Sequence, residues 1–92
     1  MKSCLHIVVS GKVQGVFFRA TLCDIANSLN ITGWTKNGED GQSVELIAEG
    51  EKKDLDKLLE WCAKGPKGAT VEKLDYDWKQ FRNEFKSFII KH

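Results

Sequence analysis

The chain contains 92 residues, of which 41% are apolar and 29% are charged, and its formal net charge is +1 at pH 7. This length supports one hydrophobic core, and the composition is too apolar for a disordered chain. The charge balance argues against a nucleic-acid binder that depends on a basic surface. We therefore predict a single globular domain over residues 1–92 that meets its partner at a local site.

The sequence shows no membrane-spanning or secretory segment. Its apolar stretches are far shorter than the roughly 20 residues that cross a bilayer. Residues 1–4 lead directly into a strand-like segment, without the apolar core or cleavage site of a signal peptide. We expect a cytoplasmic protein with no membrane partner.

Cysteines and histidines are the candidate metal or redox residues. Cys4, Cys23 and Cys62 lie far apart and form no CxxC pair, and His6 and His92 stand at opposite ends of the chain. Neither set has the spacing of a zinc or iron site, so no metal and no other cofactor are predicted. Reduced thiols are expected, although the sequence leaves a single disulfide open.

The first half of the chain predicts a strand, a helix and a hairpin. Leu5 to Ser10 alternates in polarity as a half-buried strand does, and Gly11 should end it. Apolar residues then recur at helical spacing from Phe18 to Leu29. Strands over 31–37 and 43–49 flank turn residues 38–41, and Gly50 should close the second strand.

The second half predicts a helix followed by two strands. Leu55, Leu58, Leu59 and Cys62 form an apolar stripe, and Gly65–Pro66 follows as a stop signal. Thr70 to Trp78 reads as a strand with Leu74, Tyr76 and Trp78 on one face, and Phe85 to Lys91 as a short final strand. The order is β-α-β-β-α-β with an added C-terminal strand. It predicts a ferredoxin-like α/β (α+β) sandwich, with a largely antiparallel sheet and both helices on one face.

The connection from the first strand to the first helix is the most unusual segment. Gly11 and Gly15 stand four residues apart in Ser10–Phe17, where the backbone can turn sharply and approach a bound group. Amides in such a turn can form an anion-binding nest at the positive end of the following helix. A simple tight turn is the other reading, since no P-loop or GxGxxG pattern is present.

Arg19 stands in the first turn of the predicted helix, where a cation faces the positive end of the helix dipole. An arginine there is explained if an anion lies between its guanidinium and the loop amides. A solvated arginine on the polar face of the helix is the alternative. Lys12, beside the loop, is either a contributor to positive potential or a solvated lysine.

Asn37 ends the second predicted strand, immediately before a glycine. Asn–Gly is common turn chemistry, but a side-chain amide can also hold a water molecule through two hydrogen bonds. Glu39 and Asp40 are adjacent acids on the loop, and we interpret them as turn residues rather than a catalytic pair.

Two blocks of the sequence resemble the acylphosphatase family. The run from Gly11 to Arg19, GKVQGVFFR, is similar to the family signature G-x-V-Q-G-V-x-(F or Y)-R, which binds phosphate. Gly33–Asn37, with Gly41 and Val44, resembles the second block, G-W-x-x-N followed by G-x-V. The resemblance covers essentially the whole chain from Leu5 onward. One departure is an apparent extra residue near Gln42–Ser43, which puts the shape of that turn in doubt.

The resemblance implies a metal-independent hydrolase for small acyl phosphates, with Arg19 binding phosphate and Asn37 orienting water. It also implies a phosphate cradle made mainly of backbone amides, those of Val13, Gln14, Gly15, Val16, Phe17 and Phe18. A carboxylate leaving group, with a conjugate-acid pKa of about 4, needs no general acid at neutral pH. The physiological acyl phosphate stays open, and a monomer is the expected state.

Three alternatives share this fold or site. An RNA-recognition module would need aromatic residues on its first strand, and residues 5–9 contain none. A carbamoyl-phosphate-handling domain of a hydrogenase-maturation protein would carry the same cradle beside zinc fingers and larger regions that are missing here. A non-catalytic anion-binding module is the remaining alternative, and a turnover assay separates it from an enzyme.

Overall fold

The computed structural model describes every residue from Met1 to His92. It contains five strands and two helices, which confirms the predicted order of elements. Their bounds are β1 Lys2–Lys12, α1 Phe18–Ser28, β2 Thr32–Asn37, β3 Ser43–Glu51, α2 Lys52–Lys64, β4 Thr70–Lys79 and β5 Phe88–Ile90. Neither helix is long and apolar enough to cross a membrane.

The strands form one sheet in the order β4-β1-β3-β2-β5. All neighbouring pairs are antiparallel except β2 and β5, which run parallel. Both helices cover the same face of this sheet, and the ferredoxin-like α+β prediction is confirmed. At one end of the sheet β1 leads into α1, next to the point where β2 turns into β3.

Alternating residues of β1 and β3 build much of the core. Their helix-facing residues are buried, and residues of the two helices pack against them. Burying such side chains stabilises the fold by roughly 1.5–3 kcal/mol each. The central core residues are Leu5, Ile7, Val9, Val44, Leu46, Ala48, Leu22, Ala26, Leu55, Leu58 and Cys62.

Two glycines predicted to end strands lie inside them instead. Gly11 pairs with Val71 beyond a β-bulge, with φ at 128°, so β1 continues to Lys12. A Cβ at this position would collide with the Thr70 carbonyl oxygen, so the close approach of β4 requires glycine. Gly50 pairs with Ser3, and β3 runs on to Glu51.

The last strand is shorter than Phe85–Lys91, because the chain must first cross from one edge of the sheet to the other. Phe85 lies in this crossing segment, over the sheet face opposite the helices. The Asn27 side chain of α1 holds the start of β5, donating to the Phe88 carbonyl at 3.5 Å and accepting from the Phe88 amide at 3.3 Å. On edge strand β4, Leu74 and Trp78 pack against the core, whereas Tyr76 remains 54% exposed.

Glu49 fixes the crossing segment. Its side chain is 2% exposed and accepts hydrogen bonds from the Arg82 and Glu84 amides at 2.8 and 3.0 Å. A buried carboxylate needs such donors, since an unpaired one would be strongly destabilising. The segment is thus held at the end of the sheet away from the β1–α1 connection.

Glu49→Ala is therefore expected to lower the free energy of unfolding by about 2–3 kcal/mol, because two amides lose a charged acceptor. Urea denaturation measures this change. Glu60→Ala, at an exposed position on α2, is the control and should shift stability by no more than about 0.5 kcal/mol. Equal stability of the Glu49 variant and wild type would show that Glu49 does not hold the crossing segment.

Candidate active site

The connection between β1 and α1 presents backbone donors that have no acceptor in the chain. None of the amide N–H groups of residues 13–18 donates to a backbone carbonyl. Helix α1 has no side-chain cap at its N-terminus and no acidic residue in its first turn. Such an end carries partial positive charge and is suited to an anion.

Phe17 immediately precedes α1 in a left-handed conformation, with φ at 60° and ψ at 24°. A bulky residue in this region is strained by about 1–3 kcal/mol, and such strain clusters at functional sites. The conformation is held from the helix side, because Phe18 is 2% exposed and its ring packs edge-on against Trp61 at 5.1 Å. The first turn is therefore anchored in the core while the loop before it remains open.

Gln14 ties the loop to the β2–β3 hairpin. Its side-chain amide donates to the carbonyl oxygens of Gly38 and Ser43 at 3.1 and 2.9 Å. The Gly11 amide also donates to the Gln42 carbonyl at 2.9 Å. These hydrogen bonds fix the position of the loop relative to the end of β2.

Asp40 organises the hairpin turn that was in doubt from the sequence. Its Oδ1 accepts from the Gln42 amide and from the Ser43 hydroxyl, each at 2.9 Å. The Gln42 amide first, and then the Ser43 hydroxyl, lower the pKa of Asp40 below its usual value. Asp40 thus acts as the turn residue predicted. Asn37 keeps regular pairing with Val44, so the turn leaves its position on β2 undisturbed.

Asn37 carries a buried oxygen without a partner. Its Oδ1 is the one buried side-chain nitrogen or oxygen atom in the structure that makes no hydrogen bond. Buried polar atoms are nearly always paired, so an orphaned acceptor calls for an explanation. Asn37 also lines the cavity described next, so it brings unused hydrogen-bonding capacity to that cavity.

Arg19 and Asn37 line one cavity of about 290 Å³ at the open end of the sheet. Val13, Gly15, Phe17, Phe18, Ala20, Ile90 and His92 complete its lining. Arg19 is half-buried and takes part in none of the ion pairs of the chain. The structure thus brings together an unpaired guanidinium, an orphaned amide oxygen and the start of α1.

Known proteins resemble this chain in sequence. Residues 5–90 match the family model for acylphosphatase. Over 85 residues the chain is 47% identical to the acylphosphatase of Pyrobaculum calidifontis, covering 92% of this chain and 77% of that protein. The chain belongs to the acylphosphatase family.

Solved structures agree with this family assignment. The acylphosphatase from Coxiella burnetii superposes with a TM-score of 0.89 at 38% identity, over 98% of this chain and 93% of that one. HypF from T. kodakarensis superposes with a TM-score of 0.80 at 31% identity, over 100% of this chain but only 12% of that protein. The acylphosphatase fold is thus also found as a small part of a larger protein.

The acylphosphatase signature on its own did not indicate the contribution of the C-terminal residues. Ile90 and His92 reach the cavity because β5 runs parallel to β2, and the Lys91 amide donates to the Thr35 carbonyl at 2.8 Å. Lys36 and Lys91 line an adjoining cavity that also contacts Arg19 and Asn37. Lys12 is exposed and lines neither cavity.

The three cysteines line neither cavity, and no disulfide joins them. Burial raises the pKa of the Cys62 thiol to about 12. The pKa of Cys4 is also raised, mainly by burial and to a lesser extent by the negative charge of nearby Glu49. Cys23 donates to the Phe88 carbonyl at 3.3 Å. No group of three or more His, Cys, Asp or Glu side chains is placed to hold a metal ion.

The Asp40 turn leads to a pH-dependent prediction. The folded-state pKa of Asp40 is lowered, so its carboxylate stabilises the turn above the unfolded-state pKa of about 4. This contribution is lost as the pH falls through the folded-state value. Asp40→Asn should therefore be less stable than wild type at neutral pH, and the difference should vanish in strong acid.

Urea denaturation near pH 7 and near pH 2 measures the free energies of unfolding of wild type and of Asp40→Asn. Asp24→Asn on the exposed face of α1 is the matched control, since Asp24 accepts no hydrogen bond, and near pH 7 it should stay within about 0.5 kcal/mol of wild type. A stability gap between Asp40→Asn and wild type that stays constant in acid would contradict this account of the turn.

Proposed function

We propose that this chain hydrolyses the carboxyl–phosphate bond of acyl phosphates, releasing a carboxylate and inorganic phosphate without a metal ion. Membership of the acylphosphatase family supports the activity. The observation that carries the site assignment is one cavity lined by unpaired Arg19, by Asn37 with its unbonded side-chain oxygen, and by the uncapped start of α1. The substrate class is small acyl phosphates.

The phosphoryl group binds between Arg19 and the amides of residues 13–18. The guanidinium fork offers two parallel donors to phosphate oxygens, and the loop amides satisfy the remaining ones. Phosphoryl transfer depends mostly on positioning and on stabilising charge over three equatorial oxygens. Fixed donors at a helix N-terminus provide this stabilisation without reorganising during the reaction.

Asn37 orients the attacking water. The water donates a hydrogen bond to the orphaned Oδ1, which fixes its lone pair toward phosphorus. A new P–O bond forms as the bond between phosphorus and the acyl oxygen breaks, and the proton of the water passes to phosphate and solvent. Holding the water in line reduces the entropic part of the barrier.

The leaving group accounts for the small number of catalytic residues. The electron pair of the breaking bond goes to a carboxylate, whose conjugate acid has a pKa of about 4 and requires no proton at neutral pH. General-acid catalysis therefore adds little, and His92 at the cavity wall is not needed as a proton donor. A nucleophilic side chain or an acid pair is likewise unnecessary.

We also propose that the protein acts as a cytoplasmic monomer. The site is complete within one chain, with contributions from β2, α1, the loop before it and the residues after β5. Light scattering would measure the mass in solution, and a stable dimer would contradict the monomer.

Arg19→Ala is expected to lower kcat/KM for benzoyl phosphate by about 10³-fold or more, comparable to the loss of a transition-state arginine in other phosphoryl-transfer enzymes. Inorganic phosphate should also bind much more weakly, because the arginine contacts the phosphoryl group in the ground state. Steady-state kinetics and calorimetric titration with phosphate measure the two effects.

Arg82→Ala removes an exposed arginine from the crossing segment and is the control for the loss of a positive charge. It should leave both kcat/KM and the affinity for inorganic phosphate unchanged. Wild-type turnover should be the same after exhaustive chelation. Phosphate binding without any turnover by wild type would support the non-catalytic anion-binding alternative, and activity lost with chelation would contradict the metal-free reaction.

Asn37→Ala is expected to act differently, lowering kcat by about 10²–10³-fold, as the loss of one transition-state hydrogen bond does. Phosphate affinity should stay within about twofold of wild type, since Asn37 contacts the water rather than the anion. Gln42→Ala, which removes an exposed amide from the neighbouring turn, is the matched control. Wild-type turnover by the Asn37 variant would show that its assigned role is wrong.

A further inference from the structure

One large apolar side chain is exposed at the cavity itself. Phe17 is 81% exposed and lines the cavity with Arg19 and Asn37. The other exposed large apolar residues are Met1, Tyr76 and Ile89, and none of them lines this cavity. Aromatic side chains are typical of the lining of small-molecule binding cavities.

We propose that Phe17, together with Ile90, forms a subsite for the acyl group, so that the enzyme prefers acyl phosphates with an aromatic or bulky apolar acyl group. This inference rests on the proposed function and names the substrate class for that site. The phosphoryl group, once held by Arg19 and the loop amides, leaves the acyl group to extend along the rest of the lining. Phe17, Ala20 and Ile90 belong to the apolar part of that lining, beside Val13 and Phe18 of the loop and first helical turn.

The strained backbone of Phe17 supports a role for its ring. A left-handed φ of 60° favours glycine, which would occupy it at little cost, yet this chain places a phenylalanine there. The buried Phe18 and the start of α1 fix the next residue, so the Phe17 ring is attached to a rigid segment at the cavity wall. A pre-positioned ring loses little conformational entropy when a ligand packs on it.

The neighbouring cations do not favour an anionic acyl group instead. Lys36 lies 3.9 Å from a carboxylate oxygen of Glu45, and the Lys91 ammonium stands 4.5 Å from the centre of the Trp34 ring. The two lysines are also balanced in formal charge by the two glutamates that line the same cavity, Glu39 and Glu45. The adjoining cavity also contains Glu39, whose carboxylate would repel a second negative charge on the substrate.

The test compares benzoyl phosphate with acetyl phosphate. Phe17→Ala should lower the ratio of their kcat/KM values by about tenfold, the typical effect of losing an apolar contact to a substrate. Phe17→Gly should lower the ratio equally, because it also lacks the ring although it relieves the backbone strain. Tyr76→Ala removes an exposed aromatic ring from distant β4 and should leave the ratio unchanged.

Binding of non-hydrolysable ligands separates this inference from the proposed function. Calorimetry should show that phenylphosphonate binds wild type more tightly than methylphosphonate, and that Phe17→Ala removes this preference. If wild type prefers phenylphosphonate but hydrolyses neither substrate, the subsite stands and the proposed function fails.

Three results would overturn the subsite. One is an unchanged benzoyl-to-acetyl ratio in Phe17→Ala. Another is a wild-type benzoyl-to-acetyl ratio in Phe17→Gly together with a lowered ratio in Phe17→Ala. That result would mean that backbone strain, and not the missing ring, causes the change in preference. The third is an equal loss for both substrates and for inorganic phosphate, which would mean that Phe17 only shapes the loop.

Discussion

The site depends on backbone amides that have no acceptor within the protein. The loop before α1 and the first turn of the helix form an uncapped positive end, and Arg19 adds a full positive charge beside it. A cation at this position is unfavourable by about 0.3–1 kcal/mol, and the left-handed Phe17 adds strain of about 1–3 kcal/mol. A bound phosphoryl group would supply both the missing acceptor and the missing negative charge. We therefore interpret this end of α1 as an anion-binding site rather than as a poorly capped helix.

The rest of the fold keeps this open end rigid. Gln14 bonds the loop to the hairpin, Phe18 anchors the first turn against α2, and Asn27 holds the strand that brings Ile90 and His92 to the cavity. Each tie comes from a different element, so a ligand meets donors that are already in place. Glu49 performs the corresponding task at the opposite end of the sheet, where it secures the crossing segment.

Local patterns were sufficient for the element order but not for the roles of Arg19 and Asn37, which came from the resemblance to the acylphosphatase family. Alternation along β1 and the helical stripes are short-range signals, whereas local chemistry left Arg19 open as a solvated arginine and Asn37 open as an ordinary turn residue. The sequence did not predict that β1 and β3 continue through Gly11 and Gly50, since those glycines serve close packing with a distant segment. It also missed His92 and Lys91, because only the parallel pairing of β5 with β2 brings them to the site.

The central claim is that water attacks phosphorus, in line with a departing carboxylate. Hydrolysis of benzoyl phosphate in water enriched in oxygen-18, followed by mass spectrometry of both products, tests it most directly. The account predicts one labelled oxygen in inorganic phosphate and none in benzoate, since the bond between phosphorus and the acyl oxygen is the one that breaks. Label in benzoate would mean attack at the carbonyl carbon, and it would contradict the assignment of Arg19 and Asn37 to a phosphoryl-transfer site.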